Sequence, residues 1–309
     1  MAQVDPQVRA LLDRWAAGTS TPVSALTAEE VREDDLAVLA LQRPPAALHS
    51  VEDLEAPGPD GPVPVRVYRP REGPLHPVLF FHGGGFVIGR KGYDAPLRDL
   101  AHASDCLLVA PEPRLAPEHP FPAAARDALA AARWLPTAAP ALGASDAAPG
   151  VGGDSSGGNL AAGVTQQLVR EGTPPAFQVL VYPMLDATAS AASYAEFATG
   201  FGFSAEKSRW YFDRYLPPGI DRRDSRVSPL FSRDLAGLPP TLIATAECDP
   251  LRDEGERYGQ RLREAGVAAE VRRYPGMIHG FFQMTGALAG ARELHADLAA
   301  WMRARARAG

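Results

Sequence analysis

A mostly parallel α/β sheet with helices on both faces is the fold class predicted by three features of the 309-residue chain. Short, continuously apolar runs at 77–81, 106–110, 177–182 and 241–246 have the composition of strands covered on both sides. Helical stretches separate them, at 122–135, after the glycine-rich turn near 155 as far as Arg170, at 253–265 and at 288–305. The chain is 46% hydrophobic and 22% charged, which suits one large water-exposed domain with an elaboration.

The elements follow in chain order. Residues 1–50 read as helical and somewhat separate, with Leu11, Leu12 and Trp15 on one face and Val31, Leu36, Leu39 and Ala40 on a second helix. Thr27 followed by Glu30 is the capping-box spacing that starts this second helix, and Pro44-Pro45 ends it. The body begins near Val51. Val63, Val65 and Val67 alternate with polar or bulky neighbours, the period of a half-buried strand. A short strand around Val151 feeds the glycine-rich turn, and 270–274 is the last strand. Between 186 and 226 the β pattern breaks, and Tyr194, Phe197, Phe201, Phe203, Trp210, Tyr211, Phe212 and Tyr215 crowd together. This stretch falls between two core strands, so it reads as a helical insertion over the carboxyl ends of the strands, where open α/β sheets bind ligands. The expected organisation is a helical cap segment at 1–50, a catalytic domain at 51–185 and 227–309, and a cap insertion at 186–226.

Composition narrows the function. A net charge of −6 argues against a nucleic-acid partner, which calls for a basic face. The start shows neither a basic n-region nor an apolar h-region, and no apolar run reaches the roughly 18 residues that span a bilayer. The two cysteines, Cys106 and Cys248, lie in apolar strand-like runs and read as buried free thiols. A cytoplasmic protein is the resulting expectation.

The chemistry centres on Gly153-Asp154-Ser155-Ser156-Gly157, a G-x-S-x-G turn between a strand and a helix. Such a turn strains the serine backbone and pushes its hydroxyl outwards, making Ser155 the candidate nucleophile. A phosphate loop is the competing reading, but no G-x-x-x-x-G-K-[ST] pattern occurs. Acyl transfer also needs a base, a group to orient it, and donors for the developing oxyanion. His279 follows the last strand and is the candidate base; His82 competes, but precedes a glycine run and is better placed to order that loop. Asp249 follows the strand ending near Ala246 and is the candidate acid, with Asp253 and Glu254 as rivals; Asp253 is equally suited to capping the next helix. The chain order Ser, Asp, His suits a hydrolase triad. The loop His82-Gly83-Gly84-Gly85-Phe86 follows a buried strand, and Gly83, Gly84 and the N–H of Ser156 are the expected oxyanion donors. Phe86, Phe203, Trp210 and Tyr211 are the candidate pocket walls.

Five motifs in order, HGGGF at 82–86, RLAPE at 114–118, GDSSGGN at 153–159, DPLRDE at 249–254 and HGF at 279–281, resemble the hormone-sensitive lipase family of α/β-hydrolases, in its small bacterial carboxylesterase branch. The resemblance runs from about residue 60 to the C-terminus, and the N-terminal helices fit the family's cap. It implies the α/β-hydrolase fold, a carboxylesterase acting on short to medium acyl chains of small-molecule esters, and no metal or organic cofactor. It also implies that Ser155, Asp249 and His279 take the triad roles, with Gly83, Gly84 and Ser156 as oxyanion donors. Related enzymes are often homodimers, although no pattern here specifies an interface. Ser156 stands where the family usually has Ala, and Glu112-Pro113 where it usually has Asp-Tyr. An amide, lactone or carbamate hydrolase would carry the same triad. A non-catalytic ligand receptor on this scaffold is the reading from another class; the family's plant gibberellin receptor lacks the triad His that this chain retains.

Overall fold

The computed structural model describes residues 3–18 and 21–307. Its frame is an eight-stranded sheet in the order β1-β2-β4-β3-β5-β6-β7-β8. The strands are β1 (Ser50–Ala56), β2 (Val63–Arg69), β3 (His76–Phe81), β4 (Cys106–Pro111), β5 (Gly150–Asp154), β6 (Gln178–Val181), β7 (Thr241–Cys248) and β8 (Ala269–Ile278). Pairing is parallel from β4 to β8, and only β2 runs antiparallel to its neighbours. This is the α/β-hydrolase fold expected from the motifs.

The helices are α1 (Pro6–Ala16), α2 (Ala28–Asp35), α3 (Asp94–Ser104), α4 (Ala123–Ala138), α5 (Ser156–Arg170), α6 (Ser193–Glu196), α7 (Ala205–Tyr215), α8 (Arg252–Glu264) and α9 (Ala289–Ala306). Because side chains alternate along a strand, each central strand feeds two cores. Leu79, Phe81 and Val109 join Leu135, Leu160 and Leu262 on one face. Val78, Phe80 and Leu108 join Leu100, Leu294 and Leu298 on the other.

Two elements were not anticipated. β1 carries three acids among its seven residues and sits at the sheet edge, where charge is tolerated and hides the strand period. α3 follows the glycine loop and buries Leu97, Leu100 and Asp99. The N-terminal segment also differs in detail. The capping box at Thr27 and Glu30 is present, but the second helix tightens into a 3₁₀ turn over Leu36–Leu41. In α1 the buried face is Val8, Leu11 and Leu12, while Trp15 is 41% exposed and stands beside Gly202. The segment is tied to the body by Arg32, whose guanidinium donates to Val87 O (2.8 Å), Ala116 O (3.0 Å) and both oxygens of Glu118.

Residues 186–226 leave the sheet after β6 and return before β7, carrying α6 and α7. Ser204 caps α7 by accepting from Lys207 N–H at 3.0 Å. This helix buries Trp210, Tyr211, Phe212 and Tyr215. Among the described residues no helix is long and apolar enough to cross a membrane.

Register decides which loops meet. Phe81 pairs with Gly153, so the chain leaves β3 and β5 side by side. Cys248 pairs with Ile278, so Asp249 and His279 also emerge together. At the first junction α5 lies against the sheet so closely that a Cβ on Gly157 would collide with the carbonyl oxygens of Phe81 and, at 2.5 Å, His82. Both are main-chain atoms, which cannot swing aside as the end of a flexible side chain would. Gly157→Ala is therefore expected to destabilise the chain by at least about 2 kcal/mol, within the usual range for overpacking. A urea midpoint equal to the parent's would show that α5 can shift without loss.

Candidate active site

Ser155 sits between β5 and α5 with φ 52° and ψ −119°, a conformation that costs a non-glycine residue about 1–3 kcal/mol. The surroundings over-determine it. Ser155 N–H donates to Val181 O at 2.9 Å, and Ser155 O accepts from Asn159 N–H (3.1 Å) and Met184 N–H (3.0 Å). Asn159 in turn donates its side-chain amide to the carbonyls of Met184 and Val227, both at 2.8 Å.

His279 follows β8. Its Nε2 lies 2.9 Å from Ser155 Oγ, and its Nδ1 lies 2.8 Å from Asp249 Oδ2. Two rings pack against the imidazole, Tyr182 at 4.6 Å and Phe203 at 4.3 Å between centroids. Asp249 is fully buried, and its other oxygen accepts from Leu251 N–H at 2.9 Å. A β-bulge between Ala246 and Cys248 turns the end of β7, and Glu247 there accepts from Gly276 N–H at 2.7 Å. The three side chains expected to meet therefore form one hydrogen-bonded line.

The rivals lie elsewhere. Asp253 accepts from Ser193 N–H (2.9 Å) and pairs with Arg252 (2.7 Å), so it anchors the insertion and does not cap α8. Glu254 Oε1 accepts from Leu185 N–H at 2.5 Å, holding the root of the same insertion. His82 orders its loop, with Nδ1 donating to Gly83 O at 2.7 Å; burial pushes its pKa down, which favours the neutral ring.

One oxyanion assignment needs correction. The N–H of Gly83 is engaged by Asp154 Oδ1 at 2.8 Å and by the Tyr93 hydroxyl at 3.0 Å, so it is not free to receive a substrate oxygen. Among the described residues the N–H groups of Gly84, Gly85 and Ser156 have no such partner. Gly84 and Gly85 have φ of 108° and 60°. A Cβ on Gly85 would collide with the ring carbons of Tyr211, so the loop passes against that ring.

Of the four aromatic candidates, Phe203 stands beside His279 and Tyr211 beside the glycine loop. The other two are placed in packing contacts. Phe86 stacks on Tyr215 at 3.8 Å and 6°, and Trp210 lies under the Arg214 guanidinium at 3.5 Å. The site is closed, with Ser155 only 5% exposed. A groove of about 360 Å³ between α4 and α5 and a polar recess of about 620 Å³ beside Glu254 both lie away from Ser155. Glu112, at one of the positions that departs from the family pattern, pairs with Arg90 at 3.0 Å.

The pattern of a family described as having the alpha/beta hydrolase fold matches residues 78–283. The chain belongs to that family. Among the relatives of this hydrolase, the carboxylic ester hydrolase LipN of Mycobacterium tuberculosis is 43% identical over 264 residues, covering 81% of this chain and 70% of LipN. The ethyl acetate hydrolase of Pseudomonas putida is 36% identical over 91% of this chain and 92% of its own. The hyperthermophilic esterase of Pyrobaculum calidifontis superposes with a TM-score of 0.93 at 38% identity, covering 98% of both chains. These likenesses place the hydrolase among the hormone-sensitive-lipase-like carboxylesterases.

Sequence reasoning overlooked Asp154, Tyr93 and Tyr182, which surround the elbow. A signal existed for the first: an acid beside Ser155, at the end of a buried strand of this hydrolase, requires partners. Tyr93 and Tyr182 carry no pattern of their own.

Glu254 gives a pH test. Burial, with Asp186 nearby, holds its carboxyl well above the ordinary 4.5, and its Oε2 is buried without a partner. The folded state thus keeps a proton that the unfolded chain releases near 4.5. Its contribution is full below that pH and is lost as pH rises towards the folded value. Gln mimics the protonated acid, so Glu254→Gln should gain stability relative to the parent between pH 5 and pH 8. Urea midpoints across that range check this; a difference that does not grow with pH would contradict it.

Proposed function

We propose that this chain, an ester hydrolase by its relatives, cleaves small-molecule carboxylic esters with short to medium acyl chains through an acyl-enzyme formed on Ser155. The observation carrying this reading is the unbroken line Ser155 Oγ, His279 Nε2, His279 Nδ1, Asp249 Oδ2, with contacts of 2.9 and 2.8 Å. His279 accepts the serine proton as Oγ attacks the ester carbonyl, then returns it to the leaving alcohol. Asp249 holds Nδ1–H and thus the tautomer that leaves Nε2 free to accept. A water molecule, deprotonated by the same imidazole, releases the acid.

Gly84 and Gly85 of the loop after β3 and Ser156 at the N-terminal end of α5 are the backbone donors of this reading, and the dipole of α5 also favours developing negative charge there. The extra hydroxyl of Ser156 does not alter that role, because the donor is the main-chain N–H. Residues 1–50 and 186–226 act together as the cap. Phe203 and Tyr211 provide an aromatic ceiling over the imidazole and the glycine loop, which favours small acyl groups. Cys106 and Cys248 are buried free thiols, in keeping with a cytoplasmic setting.

Ser155→Ala is expected to lower kcat for p-nitrophenyl acetate by roughly 10⁶. Asp249→Asn is expected to cost on the order of 10⁴ through loss of the tautomer, whereas Asp253→Asn leaves kcat within a few-fold. Steady-state kinetics of the three variants decide the assignment, and a crippled Asp253→Asn beside an active Asp249→Asn would reverse it. An acyl series from acetate to laurate should peak at the short end; a laurate optimum contradicts the ceiling, and faster turnover of amides or lactones than of any ester contradicts the substrate class.

A further inference from the structure

The carboxylate next to the nucleophile is hydrogen-bonded to several parts of the site at once. Asp154 is 1% exposed and ends β5. Its Oδ1 accepts from Gly83 N–H at 2.8 Å. Its Oδ2 accepts from the hydroxyls of Tyr93 at 2.8 Å and Tyr182 at 3.3 Å. The Tyr93 hydroxyl also accepts from Gly83 N–H at 3.0 Å, so residue 83 is gripped twice, and His82 Nδ1 holds its carbonyl. Tyr182, at the end of β6 with φ 32°, is the ring that backs the imidazole of His279.

None of these groups touches the reacting atoms, yet each is one step from atoms that do. Gly83 is followed directly by Gly84 and Gly85. A rotation of the peptide before Gly83 would carry the next two N–H groups away from the point where the oxyanion forms. There is no slack: a Cβ on Gly83 would lie 2.7 Å from the Tyr93 hydroxyl and 2.8 Å from Asp154 Oδ2. A buried carboxylate is costly unless its oxygens are satisfied, and this one has three donors. Burial raises its pKa to about 6 against the pull of those hydrogen bonds, so at the mildly alkaline pH of an esterase assay it is a charged, strong acceptor.

We infer that Asp154 is the positioning residue of this active site, fixing the glycine loop through Gly83 and the wall behind His279 through Tyr182. The inference rests on the ester-hydrolase reading and adds to it a residue that sets transition-state stabilisation without contacting substrate. It makes a claim that a purely structural role does not: loss of Asp154 should weaken the tetrahedral adduct far more than the Michaelis complex.

The test compares the parent chain with Asp154→Ala, Asp154→Asn and Tyr93→Phe, each checked for folding by circular dichroism. The readouts are kcat and KM for p-nitrophenyl acetate and the affinity for an aryl trifluoromethyl ketone, which adds to Ser155 and places an oxyanion among the backbone donors. Asp154→Ala should lower kcat by about 10²–10³, the range for removal of one oxyanion donor. Its KM should stay within about threefold, and ketone affinity should fall by a factor similar to that in kcat. Asp154→Asn keeps one acceptor for Gly83 but loses the charge, so it should fall between Ala and the parent, as should Tyr93→Phe. A folded Asp154→Ala with kcat within threefold of the parent, or a kcat loss with unchanged ketone affinity, overturns the inference. If Asp154→Ala does not fold, parent-like kcat and ketone affinity in Asp154→Asn and Tyr93→Phe together overturn it. A folded parent that hydrolyses no ester overturns the ester-hydrolase reading itself, whereas an active parent with indifferent variants overturns only the role of Asp154.

Discussion

The whole arrangement depends on how closely α5 approaches the strand ends. Gly153 and Gly157 let the helix backbone rest against the carbonyls of Phe81 and His82, where no side chain fits. That contact fixes the strained backbone of Ser155, aims the N-terminus of α5, and sets the glycine loop beside it. Interiors packed to crystal-like density transmit small displacements, so a shift of one methyl group here reaches Ser155 and the glycine loop together.

Much of this was legible in the sequence for physical reasons. Strands buried on both faces are continuously apolar, and β3, β4, β6 and β7 stood out on that ground. The elbow showed because the turn demands glycines at fixed offsets. Asp249 and His279 were placed by the strand ends they follow, and the pairing of Cys248 with Ile278 brings those ends into register. β1 escaped because an edge strand can carry Glu52, Asp53 and Glu55 without cost. α3 escaped because its buried positions include Asp99, which the sequence cannot show to be paired with Arg43 at 2.6 Å.

The misassigned donor at Gly83 has an equally specific cause. Which of three consecutive glycines turns its N–H towards a ligand depends on peptide orientation, and glycine composition says nothing about that. The orientation is set by Asp154 and Tyr93, one of them 71 residues distant in the chain. The four aromatic candidates show the same limit. The crowding of aromatics at 186–226 predicted an insertion, and the sequence also offered Phe86 from the glycine loop, but only packing separates Phe203, against His279, from Phe86, against Tyr215.

The grip on the imidazole comes from two sources of different kinds. Tyr182 belongs to the rigid sheet, whereas Phe203 belongs to the excursion between β6 and β7. A displacement of that excursion would take one neighbour from the imidazole and leave the other. The aim of the imidazole is thus tied half to the sheet and half to a chain segment outside it.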